Sequence, residues 1–485
     1  MKFATVFCWG ILLTAPCAAD VAVVVPAGGN AQQHLAAAEL VSYLAKIYPD
    51  ERFAVAAQAP ASGAVVAFAA RAGNAEAFEI RRTARGAVIE SGPRGALPAV
   101  YALLEKLGCG FYLSTETMPG PRRGPMPFDT WPLRDEPVFP DRLVFDWHNF
   151  LSSASTWDYE DWQSYIDHSA RMRFNGLMVH AYGNNPMFTF QFNGRQKPIG
   201  YLATTRAGRD WGTQHVNDVR RLIGGELFQD DVFGAAIAKV SEAERGPAAR
   251  ALMQRVFAHA ASRGLAITFA LDVDTLSANP QELIATLPPS ARITSGKYQL
   301  ANPDTPDGYA FYRAQVDQLF SAYPQITRLA IWFRNSATPW TAILLDEFPV
   351  SWKREFTGDA ADASMFAIGK LVSAYGRALR ETGHIGVELA AGSWRLSFLK
   401  SADRYLPREA TLMPLDWSTV FDTAAGQRAL REVRSGRRLI PIVWAHHDDR
   451  TYIGRPYTPY VNFSSLVKSA GGRGFGIIHW TTRPL

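Results

Sequence analysis

Trp162-Gln-Ser-Tyr-Ile-Asp-His-Ser-Ala-Arg-Met172 and, three residues on, Gly176-Leu-Met-Val-His-Ala-Tyr182 decide the fold. The first stretch reads as a helix and the second as a short apolar strand. The same rhythm runs through the whole second part of the chain. Strands are predicted at Leu143–Phe150, Gly176–Tyr182, Leu265–Asp274, Arg328–Asn335, Ile385–Trp394, Thr411–Ser418, Leu439–Asp449 and Gly474–Thr481. Helical segments fall between them at Trp162–Met172, Ala248–Ser262, Tyr309–Ala322, Met365–Glu381, Gly426–Val433 and Tyr460–Ser469. Strands alternating with helices imply parallel βα units, and eight of them predict a (β/α)8 TIM barrel over residues 135–485. The connection after the second strand, residues 183–230, far exceeds the usual few residues and reads as a functional insertion. The chain stops at Leu485, just after the eighth strand, so the barrel is expected to lack its last helix, which favours a fragment of a longer protein.

Toward the N-terminus the composition changes. Residues 20–130 hold no Trp and one His, whereas twelve of the thirteen Trp and nine of the ten His follow from Trp131 onward. A Pro-rich linker, residues 118–134, separates the two parts. The first part, residues 20–117, reads as a small α/β domain. Val21–Pro26 and Val65–Ala70 are short strands, Ala31–Tyr48 is an amphipathic helix, and Phe78–Ile80 with Ala87–Ile89 flank a hairpin at Arg85-Gly86. A further helix runs to Leu107 and is closed by Gly108, before a strand Cys109–Leu113.

Residues 1–19 read as a secretory signal cleaved near Ala19: Lys2, an apolar run Phe3–Leu13, then small residues. An exported location, periplasmic or secreted, follows. No other stretch is long and apolar enough for a membrane span. Cys8 and Cys17 fall within that signal, so only Cys109 remains and no internal disulfide is available. Cys109 is expected to be a buried hydrophobe. Fifty basic against forty-five acidic residues, with no dense basic run, argue against nucleic acid as a partner.

In a barrel of this kind the chemistry sits at the C-terminal strand ends. Six of the eight predicted ends carry Trp, at 147, 332, 394, 417, 444 and 480. Aromatic faces beside polar groups suit sugar rings, although part of this set is expected to fill the core. Glycosidases usually need two carboxylates. Asp416 and Asp449 are the leading catalytic pair, with Asp448 and Glu388 in reserve. Asp448 beside Asp449 would raise one of the two pKa values, which suits an acid. Arg334, Arg395, Arg450 and Arg483 follow strands four, five, seven and eight. Guanidinium groups bind carboxylates bidentately, so an acidic sugar is the expected substrate. Substrate contacts are expected from Trp147, His148, Asn149, His180, Asn184, Asn185, Arg334, Asn335, Trp394, Arg395, Trp417, His446, His447, Arg450 and Trp480. No metal or other cofactor is expected, because His446-His447-Asp448-Asp449 alternates between two faces of a strand. The insertion is read either as a lid over the mouth or as interdomain packing.

Two stretches carry a resemblance. Glu79-Ile80 to Ile89, then Pro93-Arg94-Gly95-Ala96-Leu97-Pro98-Ala99-Val100-Tyr101-Ala102-Leu103-Leu104-Glu105-Lys106-Leu107-Gly108-Cys109-Gly110-Phe111-Tyr112, resemble the N-terminal domain of family 67 α-glucuronidases. The same small domain precedes the barrel of family 20 β-hexosaminidases. It covers about residues 21–113, and the following barrel looks like that of glycoside hydrolases carrying it, family 115 included. Asn302-Pro303-Asp304 and Tyr323-Pro324 resemble the segment before strand four there. One departure matters. Hexosaminidases place an Asp-Glu pair at the end of strand four, where this chain has Arg334-Asn335, and Asp346-Glu347 lies eleven residues or more beyond. No general acid is therefore carried over.

The resemblance and the strand ends together imply an exported glycoside hydrolase acting on a saccharide with a uronic or otherwise acidic sugar. The alternatives are a carbohydrate-binding protein with a degenerate site, and a metal-dependent hydrolase or esterase.

Overall fold

The computed structural model describes residues 20–146, 154, 157–181, 185–198, 240–273, 280–333, 339–393, 404–415, 424, 428, 432, 436–444, 463–469 and 471–479. The chain divides into two compact units, residues up to 110 with 117–137, and 111–116 with 138–485.

The first unit is built on a six-stranded sheet. Val21–Val24 lies parallel between Phe53–Ala56 and Ala64–Ala70, and Ala64–Ala70 is parallel to Gly86–Ser91. The hairpin expected around Arg85-Gly86 forms, with Phe78–Thr83 antiparallel to Gly86–Ser91. Gly86 has φ +146°, and a Cβ there would stand 2.3 Å from the Val65 carbonyl oxygen, so both the turn and the close strand require glycine. The helix Ala31–Ile47 starts at a reciprocal cap, Asn30 accepting from the Gln33 amide and the Gln33 side chain accepting from the Asn30 amide. It buries Leu40, Leu44 and Ile47, while Ala96–Lys106 buries Leu97, Val100, Tyr101 and Leu104. Cys109 is buried, with its thiol 3.9 Å from the Met118 sulfur. The Pro-rich stretch packs on this unit rather than spanning a gap. Arg122 donates from its amide to Ile47 and from its guanidinium to the Leu107 carbonyl, and Leu133–Asp135 adds the sixth strand beside Phe78–Thr83.

The second unit holds an eight-stranded parallel sheet. Its strands are Asp141–Asp146, Gly176–Ala181, Ala266–Asp272, Ile326–Phe333, Glu388–Ser393, Thr411–Pro414, Ile442–Trp444 and Gly474–His479. The first six pair in sequence order, and the eighth lies between the first and the seventh. The ring closes between strands six and seven, where the Leu412 amide donates to Arg438 O (2.9 Å) and the Ile440 amide to Leu412 O (2.8 Å). This is a TIM barrel. Both strand faces are buried, as parallel strands under helices require. Leu143, Phe145, Met178, Ala270, Ala330, Trp332, Met413 and Ile478 form one inner cluster, and their neighbours Val144, Leu177, Val179, Leu271 and Ile331 pack outward. The helices Tyr159–Arg171, Glu242–Ser262, Pro306–Ala322 and Ala363–Glu381 flank the strands. Glu242–Ser262 begins earlier than the apolar pattern indicates because Ser241 and Glu244 cap each other.

The N-terminal end of the barrel is closed by charge. Arg328 enters it from strand four, with its side chain 6% exposed, and reaches Asp141 at 2.9 Å, Glu388 at 2.9 Å and Thr268 Oγ1 at 3.1 Å. Arg473 holds the other Asp141 oxygen at 2.8 Å, and Thr411 donates to Glu388. Burial pushes the Glu388 carboxyl up, but Arg328 and the hydrogen bonds from Thr411 and Arg328 outweigh it and leave the group below its ordinary range.

Candidate functional site

The expected site residues divide sharply. Trp147, His148, Asn149, Asn184, Arg334, Asn335, Trp394, Arg395, Asp416, Trp417, His446, His447, Asp448, Asp449, Arg450 and Trp480 lie outside the described residues. In the chain, Arg334 directly follows strand four, Trp394 strand five, and Asp416 comes one residue after Leu415, which continues strand six. His180, Asn185 and Glu388 are described.

Glu388 is a correction. It is the first residue of strand five, so it belongs to the N-terminal end of the barrel, opposite the mouth. Its carboxylate is committed to Arg328 and Thr411. Asn185 is also given other work: its side-chain oxygen accepts the Met187 amide at 2.8 Å, an Asx-type turn that starts the arm after strand two. Glu347, a carboxylate within reach of strand four by sequence, accepts from the amides of Leu344 (2.8 Å) and Gly296 (2.5 Å), which anchors it in its own loop.

His180 heads a cluster that sequence reading only half finds. It lies one residue before the C-terminal end of strand two, fully buried. Its Nε2 is 3.4 Å from Asp272 Oδ2, at the end of strand three, and both side chains are wholly shielded from solvent. Trp332, from strand four, meets the imidazole edge-on at 5.9 Å, and Phe145, from strand one, lies 6.4 Å from both rings. These four side chains form the top inner layer, the floor of the mouth. The floor is shielded from solvent. Trp332, one of the six strand-end tryptophans, therefore fills the core.

Gly392 makes room for this floor. It pairs with Trp332 across strands four and five, and a Cβ there would stand 2.2 Å from Trp332 Cε3. Gly392→Ala should cost about 1–3 kcal/mol through displacement of the indole. The denaturant midpoint reads this, and an unchanged midpoint would mean that the ring shifts freely.

Asp146 plays the supporting role at strand one. Its Oδ2 accepts the Ala154 amide at 2.8 Å, which links the end of strand one to residue 154. Burial first, and the nearby Asp146 second, push the Tyr165 phenol well above its ordinary range.

No family model matches the chain, and no curated protein sequence matches it. Solved structures do. A family 20 β-N-acetylhexosaminidase from Streptomyces coelicolor A3(2) superposes with a TM-score of 0.56 at 14% identity, covering 96% of this chain and 83% of that one. The likeness is one of fold. A family 138 glycoside hydrolase targeting pectin rhamnogalacturonan II gives a TM-score of 0.56 at 12% identity over 95% of this chain, which spans only 46% of that protein. A family 20 exo-β-N-acetylglucosaminidase from Vibrio harveyi gives 0.54 at 13%, with 95% and 66% covered. The small domain plus barrel is thus an arrangement found in glycoside hydrolases. Families 67 and 115 rest on the sequence motif alone.

Among the described residues, no helix is long and apolar enough to cross a membrane.

Proposed function

We propose that this chain is an exported glycoside hydrolase acting on an oligosaccharide that carries a uronic or other acidic sugar, and that Asp416, Asp448 and Asp449 supply its acid and base. The observation that carries the reading is the barrel itself. Its closed parallel strands end in a rigid aromatic floor made by Phe145, His180 and Trp332. Directly beyond those ends the sequence supplies the carboxylates and arginines. The fold-likeness to family 20 and family 138 hydrolases supports the same reading. One carboxylate would protonate the leaving oxygen, and the other would attack or activate water. Arg334, Arg395 and Arg450 would hold the sugar carboxylate.

The test is release of reducing sugar from glucuronoxylan fragments, beside matched neutral fragments. Cleavage of uronate-bearing fragments at least tenfold faster than of neutral ones is expected, and it should survive a strong chelator. Equal rates remove the acidic-sugar assignment, and loss under chelation supports the metal-dependent reading.

A specific observation favours a second reading, a carbohydrate-binding protein without catalysis. Strand four leads into Arg334-Asn335 with no acid, and Glu347 is anchored away in its own loop. Tight binding of a glycan with no cleavage would establish it.

A further inference from the structure

The connection that follows the second barrel strand carries a buried lysine with no counter-ion among the described residues. Gln191–Phe192 and Arg195–Gln196 form a small hairpin, and the Lys197 amide that follows it donates to Phe190 O at 2.9 Å. The arm, residues 185–198, is pinned at several points. Tyr323 donates to Met187 O at 2.7 Å, Gln318 exchanges two 2.9 Å hydrogen bonds with the Gln191 backbone, and Asn193 donates to Thr286 at 3.0 Å. Phe190 and Phe192 meet Phe311 edge-on at 5.6 and 5.3 Å.

The Lys197 side chain lies inside this packing, and the residue is 2% exposed. Its Nζ donates to Phe188 O at 2.6 Å and stands 4.8 Å from the centre of the Phe188 ring. No carboxylate of the described residues lies within ion-pair distance of it. The charged and titratable groups around it are few. Tyr312 and Tyr375, from the two neighbouring helices, donate to Ala301 O and Gln315, and burial pushes both phenols far up, so they stay neutral. Tyr323, beneath the arm, is raised by burial in the same way. Asp272, at the end of strand three, lines the same cavity and stands beside His180. On the arm's other flank Arg250 donates to Thr189.

An ammonium stripped of water needs an anion or a full set of acceptors, and here it meets one carbonyl and one ring face. We propose that the arm docks with Lys197 as the neutral amine, and that protonation of this side chain weakens the docking, so the arm is held more tightly as the medium becomes more alkaline. Burial pushes the Lys197 amine down to about 7, against about 10.4 for lysine in water. An undocked arm therefore takes up the proton at a pH where the docked arm does not. Between about 7 and 10.4 each unit fall in pH raises the ratio of open to docked arm about tenfold. Below about 7 both forms carry the proton, and the ratio levels off.

Hydrogen exchange of the arm amides in the full chain, corrected at each pH for intrinsic rate, tests this. The helix Ala363–Glu381 serves as the internal reference. The opening ratio should rise about tenfold per unit from pH 9 to 8 and flatten below about 7. In Lys197→Met the slope should vanish, and at pH 7 the arm should be better protected than in the native chain. An equal slope in both proteins overturns the proposal. So does an NMR titration of the native Lys197 side chain, which needs no variant, if it places the amine in the ordinary lysine range.

Discussion

Asp416→Ala or Asp449→Ala should lower kcat/KM for uronate-bearing oligosaccharides by about 10²–10⁴-fold, with the loss mainly in kcat. That corresponds to about 3–5 kcal/mol of transition-state stabilisation. A carboxylate that acts as acid or base does its work as charge develops, so its removal spares substrate binding. The two substitutions should also differ from one another. Loss of the acid is masked with a good aryl leaving group, whereas loss of the base or nucleophile is restored in part by added formate. Asp448→Ala decides which member of the Asp448-Asp449 pair is required. Glu388→Gln is the control, because Glu388 lies at the other end of the barrel, and the folded fraction of that variant should turn over normally. If hydrolysis survives all three aspartate substitutions, the assignment fails.

The second large effect concerns folding. Arg328→Ala should cost about 3–5 kcal/mol, because it leaves Asp141 and Glu388 facing each other in the barrel end without their shared cation. Arg473 still reaches Asp141 at 2.8 Å and Arg438 stands 3.7 Å from Glu388, but both are far more exposed than Arg328 and compensate only in part. The native chain should also lose stability in acid. The Glu388 carboxyl sits below its unfolded value of about 4.3, so its contribution is complete above that pH and disappears as the pH falls through the lower folded value. Urea titrations at pH 7 and pH 3.5 read both effects. A midpoint shift in Arg328→Ala that matches that of an exposed arginine substitution such as Arg82→Ala would show that the cluster is inert.

The barrel was legible in the sequence because each strand is an apolar run and most are followed by a helix-period segment. Gly176–Ala181 and the helix Tyr159–Arg171 lie within a few residues of expectation. Depth along the barrel was not legible. Glu388 and Gly392 share the inner face of strand five, yet one belongs to the closed end and the other lies near the mouth, and the alternation of side chains is the same for both. Only the register with neighbouring strands sets that height. The contact between His180 and Asp272 has no local signature either, since the two residues meet through strand pairing across a long stretch of chain. His180 was visible as a strand-end polar residue, but nothing marked Asp272 as its partner. Lys197 lies in a polar-looking run, Arg195-Gln196-Lys197-Pro198, where lysine normally faces water. Its burial comes from Phe188 and Phe190 on its own arm together with aromatic residues on distant helices. Asn185 illustrates the reverse: a polar residue in a promising loop whose side chain serves the backbone.

The closure of the ring has a consequence for how this chain assembles. Strand one is joined to strand eight over six register positions, Asp141 to Gly474 through Asp146 to His479. Strands six and seven are near neighbours in sequence, yet among the described residues they meet at a single bridge, Leu412 to Leu439. Among the described residues the most distant partners thus hold a seam as long as any in the ring, and close ones the shortest. The entropy of bringing the ends together must be met before that long seam returns anything, which favours late, slow sealing of the barrel. Once sealed, the ring resembles a bracelet riveted where its ends meet and clasped at one link further round. Spontaneous opening in the native state should therefore begin at the clasp, between Leu412 and Ile440, and leave the junction of the two ends intact.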